Sequence, residues 1–540
     1  MDGPNVNWKF IDMFNKQLLD ENSTTFLNIG SCGLHIVHGA FKHGSDATGW
    51  ELEKFFKGIY QLFKETPARR DDYVKVTGSS LFALKFCKHR WVENLPVAER
   101  ALEVLPHLRK YVKAVNDKKL PTPKTQSFET VQKMLKDHLL EVKINCFISM
   151  AKEVVPFLTI YQTDRVLIPF LGEDLKQMLK SLMSRVITRS VLKEQGQSSY
   201  GLMNIDVSKG ENQKPAHKVD IGFVASEQLK KLSQSTSKKV SDRQVLALQS
   251  ECKEALLTII KHLWLKSPLK YRLVRALDCL SPQLMVNNSD KCLDKFSIVL
   301  KALVDARKLN EGEVDETKHQ FNCFLDEHVP QYTAKLIAFD HKKEDQHIDQ
   351  LFYEMMASKK CYGKLWAVVK RVLTLSHGQA TVERGFSTNK QVSVDNLQEH
   401  SFVALRQIVD YVKSVKGSVN VSITKEMVMS AASARQKYML YLEEEKKKKD
   451  KELVSMKRKS VMEELDELKA KKKRLETEAA GLAKSADKYS EQAENANSIV
   501  NVRQLVAKSN SHRSTSKQKY LAAADVDVQI EEKIRLLKST

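Results

Sequence analysis

The sequence predicts a mostly α-helical chain, and three observations carry that expectation. Glycine occurs 19 times and proline 12 times in 540 residues, each about half of ordinary usage, so turn makers are scarce and long helices are favoured over many short strands. From about residue 49 to 187, apolar side chains recur at helical spacing, as in Leu52, Phe55, Phe56, Ile59, Tyr60 and Phe63, which line up as one buried stripe. Residues 431–482 are dominated by Lys, Glu, Leu and Ala, the composition of a long charged helix or coiled coil. A chain of 540 residues exceeds the roughly 250 to 300 at which single cores stop growing, so more than one domain is expected.

At the N-terminus, FIDMFNKQLL reads as a helix, TFLNIG as a strand and SCGLHIVHGAFKHG as a second helix, the one clear α/β passage. Helix then follows helix, broken at ETPARRDD, at ENLP and at KKLPTPKTQ, where proline and polar residues end each period. Residues 193–243 lose the periodicity and gather Gly, Ser, Gln and Lys, which predicts a surface loop or disordered stretch. The helical pattern resumes at VLALQSECKEALLTIIKHLWLK and runs to Tyr411, interrupted near SHGQATV.

Beyond Thr424 the character changes. Val454, Val461, Leu468, Leu475 and Leu482 repeat at heptad spacing, while the alternate positions hold Arg458, Leu465, Lys472 and Ala479. Two cations in that second set weaken a dimeric seam, so a single charged helix is an equal reading. Residues 483–540 are mostly polar and read as a partly disordered tail closing with a short helix near 526–537. No repeat of solenoid period is visible.

The formal net charge is +21, a field that attracts polyanions, with nucleic acid the commonest partner of that sign. Solvated lysines on helix faces are the plain alternative, and it applies equally to the runs Lys446 to Lys449 and Lys469 to Arg474, which otherwise read as nuclear-import or nucleic-acid patches. The eight cysteines lack a framework spacing, which suits a reducing compartment. No signal segment and no uninterrupted apolar run near the ~20 residues of a membrane span is seen. A nuclear protein is expected, with the cytosol as the alternative, and no membrane partner or small-molecule substrate is evident.

Four spaced motifs rise above this background: D-G-P-N-V-N from Asp2, C-G-L-H with Cys32 and His35, H-R-W with Arg90 and Trp91, and A-T-V-E-R-G-F-S with Glu383, Arg384, Phe386 and Ser387. In this order they resemble the hAT superfamily of cut-and-paste DNA transposases and their host-gene descendants, over most of residues 1–415. The resemblance implies the remnant of an RNase H-like α/β fold: a partial segment at 1–90, a helical insertion at 91–355 and a dimerisation region at 356–415 that completes the fold. It makes Asp2 the second and Glu383 the third carboxylate of a catalytic triad that would hold Mg²⁺. Two-metal phosphodiester transfer needs a preorganised set of acidic ligands. The family's first carboxylate lies upstream of the Asp-Asn turn, and one residue precedes Asp2 here. The expected protein is therefore transposase-derived and not an enzyme, without a bound cofactor, a homodimer that also binds DNA through its basic surface.

Each motif has a plainer reading. Asp2 alone is a solvated residue or local cap. Cys32 and His35, with His38, His43, Cys87 and His89, suggest zinc, but the second pair is too tightly spaced, and a helix-packing pair is favoured. Trp91 beside Arg90 could stack on an unpaired base as the family analogy implies, or be a core tryptophan, the favoured reading. Glu383 could be a helical acid paired with a neighbouring Lys or Arg. Two other functions stay open: a fragment of an intact hAT transposase that cleaves and transfers DNA strands, and a scaffold protein acting through a coiled coil.

Overall fold

A computed structural model describes residues 5–234 and 240–539, apart from the side chains at 5, 381 and 539. Asp2 lies outside these residues, so its place relative to the other motifs is not described. The chain divides into two compact units, Met1–Phe402 and Val403–Thr540. Both are helical, and among the described residues there is no β-strand, only an isolated antiparallel bridge between Ile187 and Gln213.

The principal helices of the first unit are α1 (Asn5–Asn22), α2 (Gly33–Thr48), α3 (Leu52–Phe63), α4 (Leu95–Asn116), α5 (Leu140–Tyr161), α6 (Ile168–Val186), α7 (Asp242–Lys266), α8 (Ser289–Asp305), α9 (Gly363–Leu373) and α10 (Ala380–Val392). Helix α3 is the stripe seen in the sequence, with Phe55, Phe56, Ile59, Leu62 and Phe63 all buried. Helix α7 begins with a reciprocal capping box, in which Ser241 and Gln244 each satisfy the other's backbone N–H. Helices α2 and α7 pack closely because Gly44 presents no side chain: a Cβ there would lie 2.4 Å from Ile259 Cγ1 and 2.9 Å from the Ala255 carbonyl oxygen. Gly49, at φ +66°, takes the left-handed conformation that ends α2. Helix α5 is the one described helix long and apolar enough to cross a membrane, and most of its apolar window is buried within the core, as in a core helix.

Two expectations for this unit are corrected. The segment TFLNIG is not a strand but an irregular connection between α1 and α2. It has no neighbouring strand, and its polar groups are met individually: the Thr25 N–H and the Thr24 hydroxyl donate to the Ala306 carbonyl (3.2 and 3.1 Å), and the Phe26 N–H donates to Asn15 Oδ1 (2.9 Å). Residues 193–243, expected as a surface loop or disordered stretch, contain the short helices Ser199–Asn204 and Phe223–Gln234, joined by irregular segments and single 3₁₀ turns. Their sparse apolar residues, Leu202, Ile205, Val207, Val219, Ile221 and Leu229, are each buried in the main core, which anchors a polar stretch that has no helical period.

In the second unit, α11 (Glu399–Ser414), which crosses the division between the units, is followed by two long helices, α12 (Ala434–Glu494, 61 residues) and α13 (Ile499–Ser539, 41 residues). The expected mobile tail is therefore a helix, and it folds back antiparallel along α12. Buried Ala479, Ala486 and Ala493 on α12 repeat every seventh residue, as do Ser509, Ser516, Ala523 and Ile530 on α13. Serine hydroxyls close the seam: Ser509 donates to the Ala486 carbonyl and Ser516 to the Ala479 carbonyl, both at 2.8 Å. These small side chains let the backbones approach closely enough for side chain to reach main chain across the seam. Lys472, one of the two cations that made the sequence seam look weak, bonds Asp527 of α13 at 2.5 Å.

Candidate functional site

Cys32 precedes the first turn of α2, and His35 and His38 follow on that helix at a three-residue separation, so both point the same way. Residues 91–94 make a single 3₁₀ turn before α4. That turn is fixed by Asn94, whose fully buried side chain accepts from the Cys87 N–H at 2.7 Å and donates to the Cys87 and Trp91 carbonyls at 2.9 and 3.1 Å. The result holds Arg90 at the edge of the turn. Glu383 sits in the first turn of α10, where the helix dipole favours an acid.

These three segments meet. Glu383 Oε1 lies 3.3 Å from His35 Nε2, and Oε2 pairs with the Arg90 guanidinium. Arg90 also bonds Glu93 at 2.9 Å, and Gln162 donates to the same Glu93 oxygen at 3.2 Å. Arg384 pairs with Asp164. A cavity of about 330 Å³ lies among His35, His38, Arg90, Gln162, Glu383 and Ser387.

The surroundings set the protonation of this cluster. Burial holds His38 at about 4, Arg90 and His35 push it the same way, and Glu93 opposes them. Neutral His38 accepts the Val92 N–H at Nδ1 (3.3 Å), which joins α2 to the 3₁₀ turn. Cys32 is subject to burial, which alone would raise its thiol, but hydrogen bonding to His35 and to the backbone at Gln379 outweighs this and lowers it. Burial also lowers His377, whose Nε2 lies 3.2 Å from the Tyr161 carbonyl oxygen.

Of the residues singled out by sequence, the fold thus joins His35, Arg90, Glu383, Arg384 and Ser387 in one neighbourhood, with Cys32 hydrogen-bonded to its edge. Two do not belong to it. Trp91 is only 3% exposed and meets Phe86 edge-on at 5.4 Å, so its ring offers no face to a base. Phe386 is 65% exposed and does not line the cavity. Asn94, which positions the turn, was missed, although an Asn directly before Leu-Pro at a helix start is a recognisable cap signal.

Among the described residues Glu383 by itself does not fit a bound Mg²⁺; Asp2, the other carboxylate that the resemblance implies, lies outside them. Each oxygen of Glu383 already faces a nitrogen base or cation, and a divalent ion there would meet the Arg90 charge at contact distance. Among the described residues no group of three or more His, Cys, Asp or Glu side chains is arranged to hold a metal, the Cys32, His35, Cys87 and His89 set included. Compared with models of protein families, with curated proteins and with solved structures, the chain has no match.

Proposed function

We propose that this chain is a transposase-derived protein of the hAT kind that acts by associating with itself and with DNA rather than by strand transfer. The observation that carries the reading is the state of Glu383: the residue that the resemblance makes a metal ligand is the centre of an ion-pair latch joining α2, the 91–94 turn and α10. The convergence of three motifs from distant parts of the chain supports the resemblance, since unrelated motif matches would have no reason to meet.

Self-association is supported by α11, which belongs to the segment resembling the dimerisation region and has no buried residue. Val403, Leu405, Ile408 and Tyr411 are all exposed, an apolar surface on one short helix that a second copy would cover. The net charge of +21 supports a polyanionic partner, and the nucleus is the compartment that supplies DNA.

The test is a strand-cleavage assay on DNA carrying hAT-type ends, with Mg²⁺ or Mn²⁺. No cleavage is expected, and cleavage that Glu383→Ala abolishes would establish the chain as a transposase instead. Light scattering tests the association: Ile408→Asp should reduce a dimeric mass to that of one chain, and an unchanged dimer would place the interface elsewhere.

A further inference from the structure

A second, larger cavity of about 780 Å³ lies between α6, α8 and the short helices Ser199–Asn204 and Arg272–Ala276, all within the first unit. Its size falls in the range of sites for small organic ligands. Its charge is unbalanced for a structural reason. The three carboxylates on its wall are each already engaged: Glu173 with Lys176 at 3.1 Å, Asp278 with Lys295 at 2.5 Å, and Asp174 with His341 at 2.7 Å and the Tyr161 hydroxyl at 2.9 Å. Arg272, Arg275 and Lys291 also line the cavity and make no close ion pair among the described residues, although the charge of Lys291 is felt at Asp278.

Arg272 and Arg275 are three apart on one helix, so like charges are held side by side without a carboxylate in contact with either among the described residues. Arg275 is fixed by two Nη1 bonds of 2.7 Å to the Leu269 and Lys270 carbonyls. Burial, then the charge of Arg272, lowers its pKa, a cost that an anion placed between them would relieve. A fixed guanidinium with a second arginine and a lysine lining the same cavity suits a phosphate group.

Aromatic surface stands beside this cationic wall. Tyr200 is 69% exposed at the cavity although it is a large ring, and His341 stacks on Phe170 at 4.2 Å with the planes 4° apart. An exposed tyrosine on the same cavity wall as Arg275, close enough for the two to interact electrostatically, offers a flat ring for stacking a base.

We infer that this cavity binds a nucleoside phosphate unit, its phosphate on Arg272, Arg275 and Lys291 and its base against Tyr200. The unit comes either as a free mononucleotide or as one residue of a single strand. The inference does not rest on the transposase reading and would stand if the chain did cleave DNA.

Calorimetric titration of the full chain with adenosine monophosphate, oligothymidylate and inorganic phosphate tests it. Arg272→Glu and Lys291→Glu, both exposed and free of ion pairs, should each weaken nucleotide binding at least about tenfold. Tyr200→Ala should weaken it several-fold, while Arg458→Glu, in the second unit, should leave it unchanged. Binding of the monophosphate supports a free nucleotide, and binding of oligothymidylate alone supports a strand. Three results would overturn the inference: no binding of either probe, inorganic phosphate binding as tightly as the monophosphate, or Arg458→Glu weakening binding as much as Arg272→Glu.

Discussion

The two units are built from opposite kinds of side chain. The first is filled by large rings and branched residues, among them Phe55, Phe56, Phe296, Phe321, Phe324 and Phe352, all fully buried. The hairpin of the second is closed by Ala479, Ala486, Ser509 and Ser516, with a small apolar cluster of Leu465, Val526 and Ile530 at one end. Large side chains hold helices apart, and their interlocking supplies the free energy; small ones bring backbones together, so that hydroxyl-to-carbonyl bonds and close contact take over. The first kind of packing tolerates pockets between helices, and both cavities described above lie there. The hairpin is a close-packed seam.

Substitutions can break or sharpen this contrast. The largest loss is expected for Phe56→Ala, which removes a ring packed on Phe55, Phe86 and Phe147; urea unfolding followed at the tryptophans should register about 3–5 kcal/mol. Next comes acid. The unfolded chain binds a proton at His38 near pH 6.5, while the folded chain does so only at about 4. Stability from this residue is therefore complete above pH 6.5, falls as pH drops toward 4 and is level below, by about 3 kcal/mol at most. In His38→Asn, whose amide oxygen can still accept the Val92 N–H, the unfolding midpoint should change less between pH 7 and pH 5 than in the parent chain.

A smaller effect, confined to the hairpin, is expected for Ser516→Val, which loses the bond to Ala479 and crowds the seam, at about 1–3 kcal/mol. Hydrogen exchange should quicken in α12 and α13 and stay as it was in α3 and α4. If α3 and α4 loosened as well, the two units would not be separable in the way their packing suggests. The smallest change is expected for Asp527→Asn, because Asp527 is half exposed, at 52%, and water screens its pair with the partly exposed Lys472; a thermal melt should barely move.

The same contrast explains what could be read from the sequence. The α3 stripe was legible because large apolar residues at helical spacing carry a strong period. Helix α13 was not: its buried face is made of Ser509, Ser516 and Ala523, residue types that count as polar or neutral, so SNSHRSTSK reads as a tail when it is one side of a tight seam. TFLNIG has the β-branched and aromatic content of a strand, but strand formation needs a neighbour to pair with, and sequence composition does not supply one. At the candidate site the motif residues were legible individually. Their pairing was not, since the Arg90 to Glu383 contact spans 293 positions and depends on the Asn94 turn. The stacking role for Trp91 gives way to the core reading, with Phe86 as its partner.

The central claim is that Glu383 works as a latch rather than as a metal ligand. The most direct test is a double-mutant cycle of Glu383→Gln and Arg90→Met, read by urea unfolding with and without Mg²⁺. Both side chains are partly exposed, at 30% and 40%, so the account predicts a modest coupling of about 1 kcal/mol that Mg²⁺ leaves unchanged. Additive effects, together with a stabilisation by Mg²⁺ that disappears in Glu383→Gln, would contradict it.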